Sequence, residues 1–192
     1  MGGEDIARMS QCTDFEIRPL GASDAATYQA LRLRGLRDTP EAFGSTYEED
    51  VVLTLETIAD RIAHVSTSPA RVVFGAWQDG TLIGVVGAFQ SPKRKTRHIA
   101  TVWGTYVAPE ARGRGVGRQL MTTLITEVRH WPDVARVTLS VVERAAAAWR
   151  LYSALGFTEF GREADAYRGD GVSDTAIHLA LVLDEAASRI VE

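Results

Sequence analysis

Residues 103–118 (Trp-Gly-Thr-Tyr-Val-Ala-Pro-Glu-Ala-Arg-Gly-Arg-Gly-Val-Gly-Arg) constrain this chain more than any other stretch. They read as a strand that passes through a glycine-rich turn into a helix. Gly113, Gly115 and Gly117 carry no side chains to block a ligand, so successive backbone N–H groups can converge on phosphate oxygens beside the unpaired first turn of the helix. The expected ligand group is a pyrophosphate. Two common phosphate motifs fail here. A Walker A loop requires Lys-Ser or Lys-Thr after its last glycine, but Arg118 and Gln119 follow Gly117. A dinucleotide fingerprint requires Gly-x-Gly-x-x-Gly, whereas Gly113, Gly115 and Gly117 fall at intervals of two, and no acidic residue about twenty positions on ends a second strand.

What remains is Arg112-x-x-Gly115-x-Gly117 preceded by Val107-x-Pro109. This pattern resembles the acyl-CoA-binding signature of the GNAT superfamily of N-acetyltransferases. A second motif, Leu151-Tyr152-x-x-x-Gly156-Phe157, lies about forty residues later, where that superfamily carries the end of a helix. The resemblance runs from about Phe15 to Leu183. Within it, Leu31–Asp50, with its Arg-Asp-Thr-Pro-Glu-Ala-Phe-Gly run, is similar to the first-helix region of one branch.

The 192 residues, 45% hydrophobic and 24% charged, suffice for one core, and no linker or repeat divides them. Residues 15–184 are expected to form a single domain, with residues 1–14 and 185–192 as tails. A net charge of −4 argues against a nucleic-acid partner, although Lys93, Arg94, Lys95 and Arg97 cluster between two strand-like runs, as a solvated hairpin tip or a local binding patch. The lone cysteine, Cys12, has no intramolecular disulfide partner. Neither it nor the four histidines shows metal-ligand spacing, so no metal is expected. No leader, membrane span or myristoylation pattern is evident, and the expected location is the cytoplasm, away from membranes.

The pattern alternates strands and helices. Phe15–Pro19 reads as a strand, and Ser23 or Asp24 caps a helix that Thr39-Pro40 stops after Asp38. A second helix is predicted near Thr54–Val65. Arg71–Gln78 and Thr81–Gln90 are joined by Asp79-Gly80, a two-residue hairpin signal. A strand over Arg97–Val107 leads to the glycine turn and to a helix whose Leu120, Met121, Leu124, Ile125 and Val128 share one face. Arg136–Val142 alternates as a strand, Ala145–Leu155 is helical up to Gly156, and Phe157–Ala164 and Thr175–Leu183 complete the sheet. The fold class is mixed α/β.

The resemblance implies about seven strands with a splayed parallel pair, about four helices, and acetyl-CoA as co-substrate. It assigns cofactor contacts to Tyr106, Val107, Arg112, Gly113, Arg114, Gly115, Val116, Gly117 and Arg118, with the Arg114 side chain directed outward. Tyr152 admits two roles: an aromatic packed with Trp149 and Leu155, or the acid that donates to the departing coenzyme A sulfur. The resemblance places one wall of the acceptor pocket between the first two helices, which makes Glu48, Glu49 and Asp50 candidate bases or a solvated acidic loop. The hairpin around Tyr167–Asp174 supplies another wall. His98 and His178 are further bases or ordinary histidines, and Glu143 serves the helix that follows it. Ala145 departs from the asparagine many relatives carry. The implied reaction is direct acetyl transfer to a primary amine of a small molecule or protein, with a non-catalytic acyl-CoA sensor as the alternative. A homodimer and a longer acyl group stay open.

Overall fold

The computed structural model describes residues 14–65, 67, 69–169 and 172–183. The tails expected at 1–14 and 185–192, Asp14 apart, lie outside these residues, as does Cys12. The strands are β1 (Glu16–Pro19), β2 (Arg71–Gln78), β3 (Thr81–Gln90), β4 (Ile99–Val107), β5 (Arg136–Val142), β6 (Thr158–Gly169) and β7 (Val172–Val182). The α-helices are α1 (Ala25–Asp38), α2 (Tyr47–Val51), α3 (Leu55–Ile62), α4 (Val116–Val128) and α5 (Ala146–Ala154). One seven-stranded sheet runs in the order β1-β2-β3-β4-β5-β7-β6. Only β4 and β5 pair in parallel, across the α4 crossover. The β2–β3 turn has Asp79 at φ 49° and Gly80 at φ 76°, the left-handed pair that a two-residue hairpin requires.

The central strands are apolar on both faces because both faces are covered. Val72, Phe74 and Ala76 of β2 join the core beneath α4 and α5, while Val73 faces α1 and α3 together with Val85 and Tyr106. Leu120, Met121, Leu124 and Val128 are fully buried along the predicted face of α4. Burial of each such side chain contributes about 1.5–3 kcal/mol, which fixes the helix, and with it the glycine turn, against the sheet.

The acidic segment between the first two predicted helices, read as candidate bases or as a solvated loop, is itself helical. Thr46 accepts from the Glu49 N–H at 3.3 Å, and the Glu49 carboxylate accepts from the Thr46 N–H at 2.8 Å, a reciprocal cap that starts α2. Asp50 is buried, where it accepts from Arg32 Nε at 2.8 Å, and Arg61 stands 3.6 Å from the same oxygen. Arg32 also donates to Ser45 Oγ at 2.6 Å and stacks on the Phe43 ring at 4.3 Å. One buried arginine thus holds the segment Phe43–Asp50 against α1. The final hairpin is also longer than expected, because β6 and β7 continue to Gly169 and from Val172.

β4 and β5 pair at Ile99↔Arg136, Ala100↔Val137 and Thr101↔Thr138 and no further. Past Thr101 the pairing with β3 shifts register, and Gly104 sits at φ 63° inside the shift. A bulge of this kind bends its strand, and here it carries residues 102–107 away from β5.

Removing one partner of the buried pair leaves an uncompensated charge, which costs about 3–5 kcal/mol. In urea titrations Asp50→Ala is therefore expected to destabilise by that amount, whereas the double variant Arg32→Met/Asp50→Leu loses less than either single variant. A double variant as unstable as the sum of the singles contradicts the clamp.

Candidate active site

The gap left by the splayed strands is a cleft of about 570 Å³. Its walls are Thr105, Tyr106 and Val107 of β4, the glycine turn, and the α5 face made by Ala145, Ala148, Leu151 and Tyr152. Gly113 (φ 75°) and Gly115 (φ 82°) both adopt the left-handed backbone that favours glycine. Gln119 makes the first helical bond of α4, to Gly115 O at 3.0 Å. The six preceding N–H groups, from Gly113 to Arg118, have no acceptor among the described residues. A run of free donors at a helix N-terminus is suited to a pyrophosphate.

Each expected cofactor residue has a definite place. Tyr106, Val107, Arg112, Gly113, Gly115, Val116, Gly117 and Arg118 all line the cleft. The Arg114 side chain turns away, donating to Gln78 Oε1 at 3.0 Å, with Asp14 at 3.7 Å. Arg112 Nε donates to Val107 O at 2.9 Å, so this main-chain acceptor of the splayed edge is already paired. Ala108, the next residue along, gives its N–H to Ile83 O at 2.9 Å.

Tyr152 is buried at the closed side of the cleft and packs edge-on against Phe157, with ring centroids 5.9 Å apart. Trp149, the packing partner expected from the sequence, is exposed. Burial raises the Tyr152 phenol above its ordinary value, and the neighbouring Thr105 hydroxyl opposes part of that rise. The phenol is thus protonated at neutral pH, and Tyr152 lines the cleft. Tyr106 differs: its hydroxyl donates to Asp38 Oδ2 at 2.6 Å, and burial together with that carboxylate pushes its pKa up to about 12. It fastens the end of α1 to β4. Gly35 makes room for its ring, since a Cβ there would stand 3.1 Å from it. Arg34 and Glu110 add a two-pronged bond, 2.7 Å on each arm, between α1 and the approach to the glycine turn.

A second cavity of about 780 Å³ adjoins the cleft between the Phe43–Glu48 segment and the β6–β7 hairpin, the two walls expected from the sequence. Glu48 lines it. Glu49 does not, because its carboxylate is held in the α2 cap. Sequence reasoning passed over Glu41 and Arg144, which line both cavities. The helix stop at Thr39-Pro40 was the available signal for Glu41, since it places the next acidic residue at the end of α1. His178 bonds to Ser140 at 2.8 Å and lines a separate cavity, and His98 is exposed; neither lines the cleft or this cavity. Glu143 pairs with Arg162 instead of serving α5. Among the described residues no group of three or more His, Cys, Asp or Glu could hold a metal ion.

Residues 34–157 match the model of the acetyltransferase (GNAT) family. The chain belongs to that family. It is 33% identical over 139 residues to a mycothiol acetyltransferase of Thermobispora bispora, an alignment that covers 71% of this chain and 44% of that protein. The chain therefore spans less than half the length of that relative. A GNAT acetyltransferase structure from Streptococcus pneumoniae superposes with a TM-score of 0.79 at 20% identity, covering 88% of this chain and 99% of that one. The structure of yncA from Salmonella typhimurium, solved with its cofactor acetyl-CoA, gives 0.76 at 20% identity, covering 91% and 97%. These superpositions establish the GNAT fold, with its splayed parallel pair.

Gly117 tests the phosphate turn more cleanly than Gly115, because its backbone is helical and an added Cβ would stand 3.4 Å from Leu151 Cδ2, an ordinary contact. Gly117→Glu is expected to keep the fold and to weaken acetyl-CoA binding in calorimetry by at least about tenfold, or about 1.4 kcal/mol. Wild-type affinity in a folded Gly117→Glu protein would remove the turn from the binding site.

Proposed function

We propose that the protein transfers the acetyl group of acetyl-CoA to a primary amine by direct attack in a ternary complex. The observation that carries this reading is the alignment of two features in one cleft: six unpartnered N–H groups at the α4 N-terminus and a protonated, buried tyrosine on α5. The first suits the pyrophosphate of coenzyme A, and the second suits its departing sulfur. Arg112 and Arg118 stand at either end of the turn to add charge-assisted bonds to the phosphates.

In the proposed reaction the neutral amine nitrogen forms a bond to the thioester carbonyl carbon, and the carbon–sulfur bond breaks. The β4 backbone past Thr101, which lacks a β5 partner, offers N–H donors to the carbonyl oxygen as charge develops on it. The Tyr152 hydroxyl gives its proton to the leaving thiolate and recovers one as the amide nitrogen loses its own. No covalent enzyme intermediate is needed. The amine enters through the 780 Å³ cavity, where Glu48 attracts a cationic acceptor. Glu49, assigned by its cap to holding α2, shapes the same wall indirectly.

Tyr152→Phe deletes the hydroxyl and keeps the packing against Phe157. Steady-state kinetics should show kcat lowered about 10²–10⁴-fold with acetyl-CoA affinity unchanged. Turnover at the wild-type rate would sink the acid role of Tyr152. Glu48→Gln should raise the acceptor KM for a cationic amine at unchanged acetyl-CoA affinity. Glu49→Ala, which removes the cap, should instead lower the melting temperature and leave KM alone; the reverse pattern would exchange their roles.

A further inference from the structure

Attack requires the amine to meet the thioester carbon, so its proton must leave where the acceptor cavity opens into the cofactor cleft. Two residues line both spaces, Glu41 and Arg144. Arg144 is permanently cationic and pairs with Asp174, which disqualifies it as a proton acceptor. From this geometry we infer that Glu41 is the general base that takes the ammonium proton of the acceptor, an assignment that rests on the acetyltransfer reading above.

The neighbouring carboxylates are otherwise engaged. Asp38 accepts from Tyr106, Glu49 caps α2, Asp50 pairs with Arg32, Glu110 with Arg34, Glu143 with Arg162 and Asp174 with Arg144. Glu41 makes no ion pair or side-chain hydrogen bond among the described residues, and Glu48, equally free, lines only the outer cavity. Backbone bonds on both sides fix the position of Glu41. Thr39 N–H donates to Gly35 O at 3.0 Å, Ala42 N–H to Thr39 O at 3.0 Å, and Phe43 N–H to Pro40 O at 3.2 Å. Pro40 starts the turn, and the stack of Arg32 on Phe43 closes it. The carboxylate is therefore presented from a hydrogen-bonded 3₁₀ turn that borders both spaces.

The charged and titratable groups that share these two spaces with Glu41 are Arg37 of α1, Tyr47 and Glu48 of α2, Tyr106 of β4, Arg112 and Arg118 around the glycine turn, Arg144 and Tyr152 at α5, Tyr167 and Arg168 of β6, and Asp174 of β7. Arginine accepts no proton, the Asp174 carboxylate is held by Arg144, and both cleft phenols are protonated. Glu41 and Glu48 are the two free acceptors, and Glu41 alone reaches the seam.

An amine that arrives neutral needs no base, and this supplies the test. A primary alkylamine of lysine type, with a pKa of about 10.4, is almost wholly ammonium at pH 7, whereas an alkoxyamine of the same length is neutral. Both are assayed at pH 7 against wild type, Glu41→Gln and Glu41→Asp, with acetyl-CoA affinity measured by calorimetry. Glu41→Gln should lower kcat/KM for the alkylamine about 10²–10⁴-fold, lower it less than about tenfold for the alkoxyamine, and leave acetyl-CoA affinity unchanged. Glu41→Asp should recover part of the alkylamine rate. Equal losses with both acceptors, or no loss with either, would overturn the assignment while wild-type turnover upholds the acetyltransfer reading. A wild-type enzyme that binds acetyl-CoA yet acetylates neither amine would overturn that reading and the base with it.

Discussion

Three backbone pairs join β4 to β5, and then the strands part. A parallel pair held along its whole length would leave no cleft. A pair that parts with nothing between the strands would leave main-chain groups in search of partners. The strands part after Thr101, the bulge at Gly104 then bends β4, Tyr106 fastened to Asp38 holds it on its new course, and α5 lines the opposite side with alanines small enough to keep the gap open. The glycine turn then sits at one end of this gap because α4, buried along Leu120, Met121, Leu124 and Val128, cannot move away from the sheet. Binding chemistry in this protein follows from a local failure of sheet pairing.

The two halves of the site are secured in different ways. The cofactor side is built from backbone: free N–H groups, left-handed glycines and an unpaired strand edge, all fixed by apolar packing. The acceptor side is held by charge, through Arg32–Asp50 beneath the Phe43–Asp50 segment and Arg144–Asp174 across to the β6–β7 hairpin. Backbone donors suit a ligand group common to many reactions, while side chains on a short helix and a hairpin can differ without disturbing the sheet. This division accounts for a family fold at about 20% identity to its structural relatives.

Much of this was readable from the residues. The glycine spacing marked the phosphate turn because the left-handed backbone at positions 113 and 115 favours glycine, and Asp79-Gly80 marked the hairpin because both of its turn positions are left-handed, which Asp and Gly tolerate. Alternation gave β5 its observed ends, and the apolar period gave α4 its buried face. The misses have a common cause. Thr46 and Glu49 form a capping box that sequence can display, yet a helix of one turn carries too little periodicity to register beside a run of acidic residues. Asp50 looked solvated because its partner, Arg32, lies far back in the chain. Glu41 was hidden likewise, since its importance comes from two cavities that meet only in three dimensions.

The most direct test of the account is an acetyl-CoA titration followed by backbone amide NMR. Saturable shifts concentrated at the amides of Gly113–Arg118, with accompanying protection from hydrogen exchange, are the expected result, together with perturbation of the Tyr152 ring. Shifts confined instead to the separate cavity near Phe89, Phe160 and His178, with the glycine-turn amides unmoved at saturation, would contradict it.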